Sequence, residues 1–94
     1  MTVVAGFYNH DAMILIEDYP KVPMHVVEAF SRYKAEKIRP GSFLCAVIAG
    51  DLFEAVQRAD KSSLEALVAI TQMVIKELPE SARGSRAAIN DWTH

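Results

Sequence analysis

Apolar residues recur along this chain at two different spacings, and the change falls near Pro20 and Pro23. Before the prolines, Thr2-Val3-Val4-Ala5-Gly6-Phe7-Tyr8 and Ala12-Met13-Ile14-Leu15-Ile16 are two β-prone runs on either side of Asn9-His10-Asp11, which suits a hairpin turn. The second run reads equally as the apolar side of a short helix started by Asp11, or as a strand-like arm laid across a neighbour. The hairpin is the preferred reading.

After the prolines the spacing becomes helical. Pro23 fits the first turn of a helix running to about Lys37, with Val26, Phe30, Tyr33 and Lys37 on one side. Glu28, Ser31 and Ala35 lie opposite, and His25, Arg32 and Glu36 follow the edge beside Tyr33. A second helix is predicted from Pro40 to Ala59. It carries one apolar stripe of Leu44, Ile48, Leu52, Ala55, Val56 and Ala59 and another of Ala46, Ala49 and Phe53. Its polar strip is Asp51, Glu54 and Arg58, of which Asp51 is the carboxylate expected to face inward. A helix apolar over more than half its circumference is buried from two sides, by its own domain or by a second subunit.

Asp60-Lys61-Ser62-Ser63 breaks that helix, and Ser62-x-x-Glu65 has the form of a capping box for a third, which Pro79 ends. Leu64, Leu67, Val68, Thr71, Val74, Ile75 and Leu78 give it a long apolar face, while Ala66, Ile70 and Met73 spill onto another side. Ser85 is placed to cap a last short helix with Ile89 and Trp92, the indole acting as a latch against the bundle. The expected fold is mainly α: a three- to four-helix domain spanning residues 23–94, preceded by a β-prone arm or hairpin at 1–22.

Composition extends this picture beyond one chain. A domain of 94 residues buries only roughly 60 to 65% of its unfolded surface. With 51% hydrophobic and 23% charged residues it has too little interior for its apolar surface, so a homo-oligomer is expected. A net charge of −2 argues against a general nucleic-acid binder, although a small phosphorylated ligand needs only two or three local cations. The lone Cys45 forbids an internal disulfide and fits a buried small hydrophobe in a reducing cytoplasm. No uncharged apolar run reaches the roughly 18 residues of a membrane span, and the N-terminus lacks the basic flank of a signal peptide. A soluble cytoplasmic product follows.

The chemistry-bearing candidates cluster around Arg39-Pro40-Gly41-Ser42-Phe43-Leu44. Pro, Gly and Ser at a helix start present unpaired backbone N–H groups, which attract anions. Arg39 precedes this start, Arg32 and Tyr33 lie upstream and Arg58 lies near the far end of the helix. Arg32, Arg39 and Arg58 suit phosphate oxygens, Tyr33 a flat base, and Gly41 and Ser42 the supporting amides. The plain reading of the same residues is an ordinary N-cap, with a surface pair between Glu54 and Arg58. His10, His25, His94 and Cys45 have no metal-ligand spacing, the glycines form no nucleotide-binding motif, and no serine sits in a nucleophile elbow. No metal, cofactor or catalytic residue is expected.

One pattern carries a resemblance. His25-Val26-x-Glu28-Ala29-x-x-Arg32-Tyr33, Ile38-Arg39-Pro40-Gly41-Ser42-Phe43-Leu44-x-Ala46-Val47, Asp51-Leu52, Arg58-Ala59-Asp60 and the ending Gly84-Ser85 with Trp92 resemble a family of small proteins from tailed phages and prophages. By size and helix layout alone, the chain also resembles phage anti-CBASS sponges, compact helical oligomers that sequester cyclic nucleotides. That family's ligand-binding residues match no positions here. The resemblance implies a non-enzymatic, phage-encoded counter-defence protein that holds a small nucleotide-type signal, and the small size of the domain places that ligand between subunits. The competing expectations are a protein-binding module acting through the apolar surface of the second and third helices, and a structural or regulatory phage accessory protein.

Overall fold

In a computed structural model, which describes residue 14 and residues 16–94, the chain is mainly helical, and no strand occurs among those residues. The hairpin reading of residues 1–22 falls largely outside the described residues. Within them, Ile14 is buried in the core and Ile16–Asp18 forms a single 3₁₀ turn rather than the end of a strand.

Helix α1 (Met24–Glu36) buries Val26, Phe30 and Tyr33 as its spacing predicts and Val27 besides, with Pro23 at the N-cap, while Lys37, expected on the same side, is exposed. Ser31, expected on the outer face, is fully buried, and its hydroxyl has no partner among the described residues. The helix ends at Lys37, which adopts the left-handed conformation at φ 60. Such a backbone disfavours a residue with a Cβ. The Lys37 ammonium sits 4.0 Å from the centre of the Trp92 ring, a cation–π contact that helps offset the cost.

The single helix expected from Pro40 to Ala59 is two helices, α2 (Ser42–Ala49) and α3 (Leu52–Arg58). Gly50 breaks it. At φ 78 this glycine donates its N–H to the Val47 carbonyl, and Asp51 N–H reaches back to Ala46 at 2.8 Å, closing the end of α2. Asp51 then caps α3 through its carboxylate, which accepts from Glu54 N–H. Asp51 is therefore an exposed cap and not an inward-facing acid. The break turns Leu52 and Val56 of the first stripe and Phe53 of the second outward, while Ala46 stays buried. Leu52, placed by sequence in the interior, is 60% exposed, and Phe53 is 82% exposed.

Helix α4 (Lys61–Glu65) bends at Ala66 into α5 (Leu67–Glu77). Its cap is Asp60, which accepts from Ser63 N–H at 2.7 Å, and Ser62 lies inside the helix. The Ser62 capping-box expectation is thus replaced by a cap two residues earlier. Helix α5 ends before Pro79, a 3₁₀ turn spans Glu80–Ala82, and α6 (Arg86–Trp92) starts where Ser85 Oγ accepts from Ala88 N–H at 3.0 Å, as expected.

Helix α2 contacts α3, α5 and α6, which explains why its eight residues include no charge and why five are buried. Ile70, Met73, Val74 and Ile89 close around it and α1. Trp92 latches α6 onto α1 through its indole N–H, which donates to the Tyr33 carbonyl at 2.8 Å. On the opposite side of α1, Glu77 accepts from Tyr19 and from Lys34, at 3.1 Å for the lysine. Burial opposes ionisation of Glu77, but these two donors outweigh it and hold the carboxyl below its usual range.

Candidate functional site

A cleft of about 300 Å³ opens between the start of α1, the start of α2 and the junction of α3 with α4. Its position follows from local chemistry at each wall. Gly41, in extended backbone, is the N-cap from which α2 begins, and no side chain caps that beginning. The first hydrogen bond of the helix runs from Cys45 N–H to the Gly41 carbonyl, which leaves the N–H groups of Ser42, Phe43 and Leu44 without a helical acceptor. All three residues line the cleft. Asp60, fixed by its capping role, brings the end of α3 and the start of α4 against α1, and so sets Arg58 and Ser63 opposite the α2 start.

Charge in the cleft is balanced. Arg58 Nε donates to Glu54 Oε1 at 2.6 Å, and His25 Nε2 lies 3.6 Å from Asp60 Oδ2. The backbone N–H of Ser63, then the hydroxyls of Ser63 and Ser62, hold the Asp60 carboxyl below its usual range. The Glu54 bond engages one of the five N–H donors of the Arg58 guanidinium, so the pair orients Arg58 while leaving its outer donors for another acceptor. Val26, Ala29 and Phe43 supply an apolar wall.

Of the residues expected to bind a ligand, Gly41, Ser42 and Arg58 meet in this cleft. Arg39 points away from it and donates to Asn90 on α6. Arg32 is exposed two turns along α1 from His25 and does not line the cleft. Tyr33 is a core residue: it is fully buried, its hydroxyl donates to the Ala82 carbonyl at 2.8 Å, and burial pushes its pKa up to about 12. Its ring packs 6.3 Å from that of Trp92 and offers no free face to a base. The sequence placed Tyr33 correctly on the apolar side of α1, and that placement already argued for the interior. His25, Phe43 and Ser63 are cleft residues that sequence reasoning passed over; the capping Asp60 between Arg58 and Ser63 was the available signal.

Cys45 is buried, its thiol directed at the Pro40 carbonyl at 3.3 Å, and burial raises its pKa. It behaves as the small core hydrophobe expected. Among the described residues, no group of three His, Cys, Asp or Glu could hold a metal ion, and no helix is long and apolar enough to cross a membrane. Comparison with protein-family models, curated proteins and solved structures finds no match.

Proposed function

We propose that this protein is a non-enzymatic binder of a small phosphate-bearing ligand, held in the cleft at the start of α2. The observation that carries this reading is the convergence of an uncapped helix N-terminus and the Arg58 guanidinium on one cleft large enough for a mononucleotide-sized group. Phosphate oxygens accept from the Ser42, Phe43 and Leu44 amides and from the outer donors of Arg58, while Phe43, Val26 and Ala29 meet the base. The balanced charges of Glu54 and Asp60 make the cleft selective for an anion that engages the amides, because simple attraction by a positive patch is absent. His25 and Asp60 are both more than half exposed, so water has free access and nothing sets them apart as an acid–base pair. Within this proposal the biological role is phage counter-defence, sequestering a nucleotide-type immune signal in the host cytoplasm; that part rests on the sequence resemblance alone.

Calorimetry against cyclic di- and trinucleotides and ADP-ribose derivatives tests the reading. Wild type should bind one of them, and Arg58→Ala should weaken binding by about 1.5 to 3 kcal/mol, the value of a charge-assisted hydrogen bond, without moving the thermal melt. Absence of binding across the panel by wild-type protein removes this reading. The second reading, a protein-binding module, is favoured by a different observation, the apolar side chains exposed on α3, α4 and α5.

A further inference from the structure

The segment Ile16–Val22, which leads into α1, is held lightly to the rest of the fold. Of its seven residues only Val22 is buried, whereas α1 alone buries five. Its backbone bonds run within the segment, from Tyr19 N–H to the Ile16 carbonyl at 3.0 Å and from Val22 N–H to the Tyr19 carbonyl at 3.1 Å. Among the described residues, no backbone hydrogen bond ties it to the helices. The side-chain bond that does so is the Tyr19 hydroxyl donating to Glu77, with the Lys76 ammonium 5.8 Å from the centre of the Tyr19 ring. Glu77 is itself pinned by Lys34 of α1 at 3.1 Å, and both of those side chains are less than one-fifth exposed. Two grooves, of about 670 and 310 Å³, share Pro20, Lys21, Val22, Ala69 and Gln72 in their walls, so the segment crosses α5 between them.

We infer that Ile16–Val22 is a strap that opens as a unit while the helices stay folded, and that the Tyr19–Glu77 hydrogen bond holds it shut. Parts of one fold open with free energies ranging from near zero to the global value, and the low end belongs to segments with few buried apolar contacts. The strap, with one buried side chain, is such a segment. Its closing bond is of the stronger kind, a hydroxyl donating to a carboxylate. Burial, then the bond to Glu77, raise the pKa of Tyr19, so the hydroxyl remains a donor at ordinary pH. Lys34 belongs to α1 and keeps its hold on Glu77 when the strap lifts, which leaves the acceptor in place for reclosure. Lifting joins the two grooves into one trough over Ala69 and Gln72. None of the strap residues lines the cleft at the start of α2, so the inference stands independently of the ligand.

Limited proteolysis of the full chain with dilute trypsin tests it, because cleavage then tracks the population of the opened form. Lys21 reports on the strap and Arg32, inside α1, on the bundle. In wild type the initial rate at Lys21 should exceed that at Arg32 roughly tenfold or more, and low urea should speed cleavage at Arg32 far more steeply, since lifting the strap exposes little surface. Tyr19→Phe keeps the ring and removes the closing bond, and should raise the Lys21 rate about tenfold or more. Equal rates at Lys21 and Arg32 with one shared urea dependence would mean that the segment unfolds only with the bundle, and would overturn the proposal. A Lys21 rate that Tyr19→Phe leaves unchanged overturns the assignment of the Glu77 bond as the closure.

Discussion

Replacing Tyr33 separates a core role from a binding role, because the two predict opposite readouts. In Tyr33→Phe the ring stays and one hydrogen bond is lost, leaving the Ala82 carbonyl without its donor in a fully buried position. An unsatisfied buried acceptor costs about 1 to 3 kcal/mol, which for a domain of this size corresponds to a fall in Tm of roughly 5 to 20 °C. Tyr33→Ala also removes the ring from the Trp92 contact and opens a cavity beneath α6, at about 3 to 5 kcal/mol, a large part of the stability of a 94-residue domain. Urea and thermal unfolding at one fixed protein concentration measure both, the concentration held because any self-association shifts the midpoint. Ligand affinity of the folded Tyr33→Phe protein should equal that of wild type. A Tyr33→Ala protein that keeps its melting temperature and loses only ligand affinity would refute the placement of Tyr33 in the core.

Two further outcomes test the fold's local chemistry. Ser85→Ala removes the cap of α6 and should cost about 0.5 to 2 kcal/mol in urea unfolding, loosening the Trp92 latch with it; no change would show that α6 is held by Ile89 and Trp92 alone. Glu77 has a folded pKa below its unfolded value near 4.3, so its contribution is complete above that pH and is lost as pH falls through the depressed value. The acid limb of wild-type stability should therefore be steeper than that of Glu77→Gln, and parallel limbs would contradict the Tyr19–Glu77–Lys34 arrangement.

Much of the helical layout was legible because it rests on local signals. The apolar side of α1, the stop at Pro79, the Ser85 cap and the Trp92 latch each follow from a few neighbouring residues. The division of α2 from α3 was also written locally, in Gly50-Asp51, but the unbroken apolar spacing from Leu44 to Val56 masked it. That masking misplaced Leu52 and Phe53, whose exposure depends on a change of helix direction and not on periodicity. At the candidate site the local half, Gly41 and Ser42, was readable. Its other half was not, because only tertiary packing decides that Arg58 faces the α2 start while Arg39 turns to α6 and Tyr33 goes inside.

The most direct test of the cleft as a phosphate site is amide NMR during titration with the tightest-binding nucleotide of the panel. The reading predicts that the backbone N–H signals of Ser42, Phe43 and Leu44 move together downfield, with the Arg58 side-chain resonances following at the same midpoint. Saturable shifts confined to other parts of the chain, with these three amides unmoved, would contradict it.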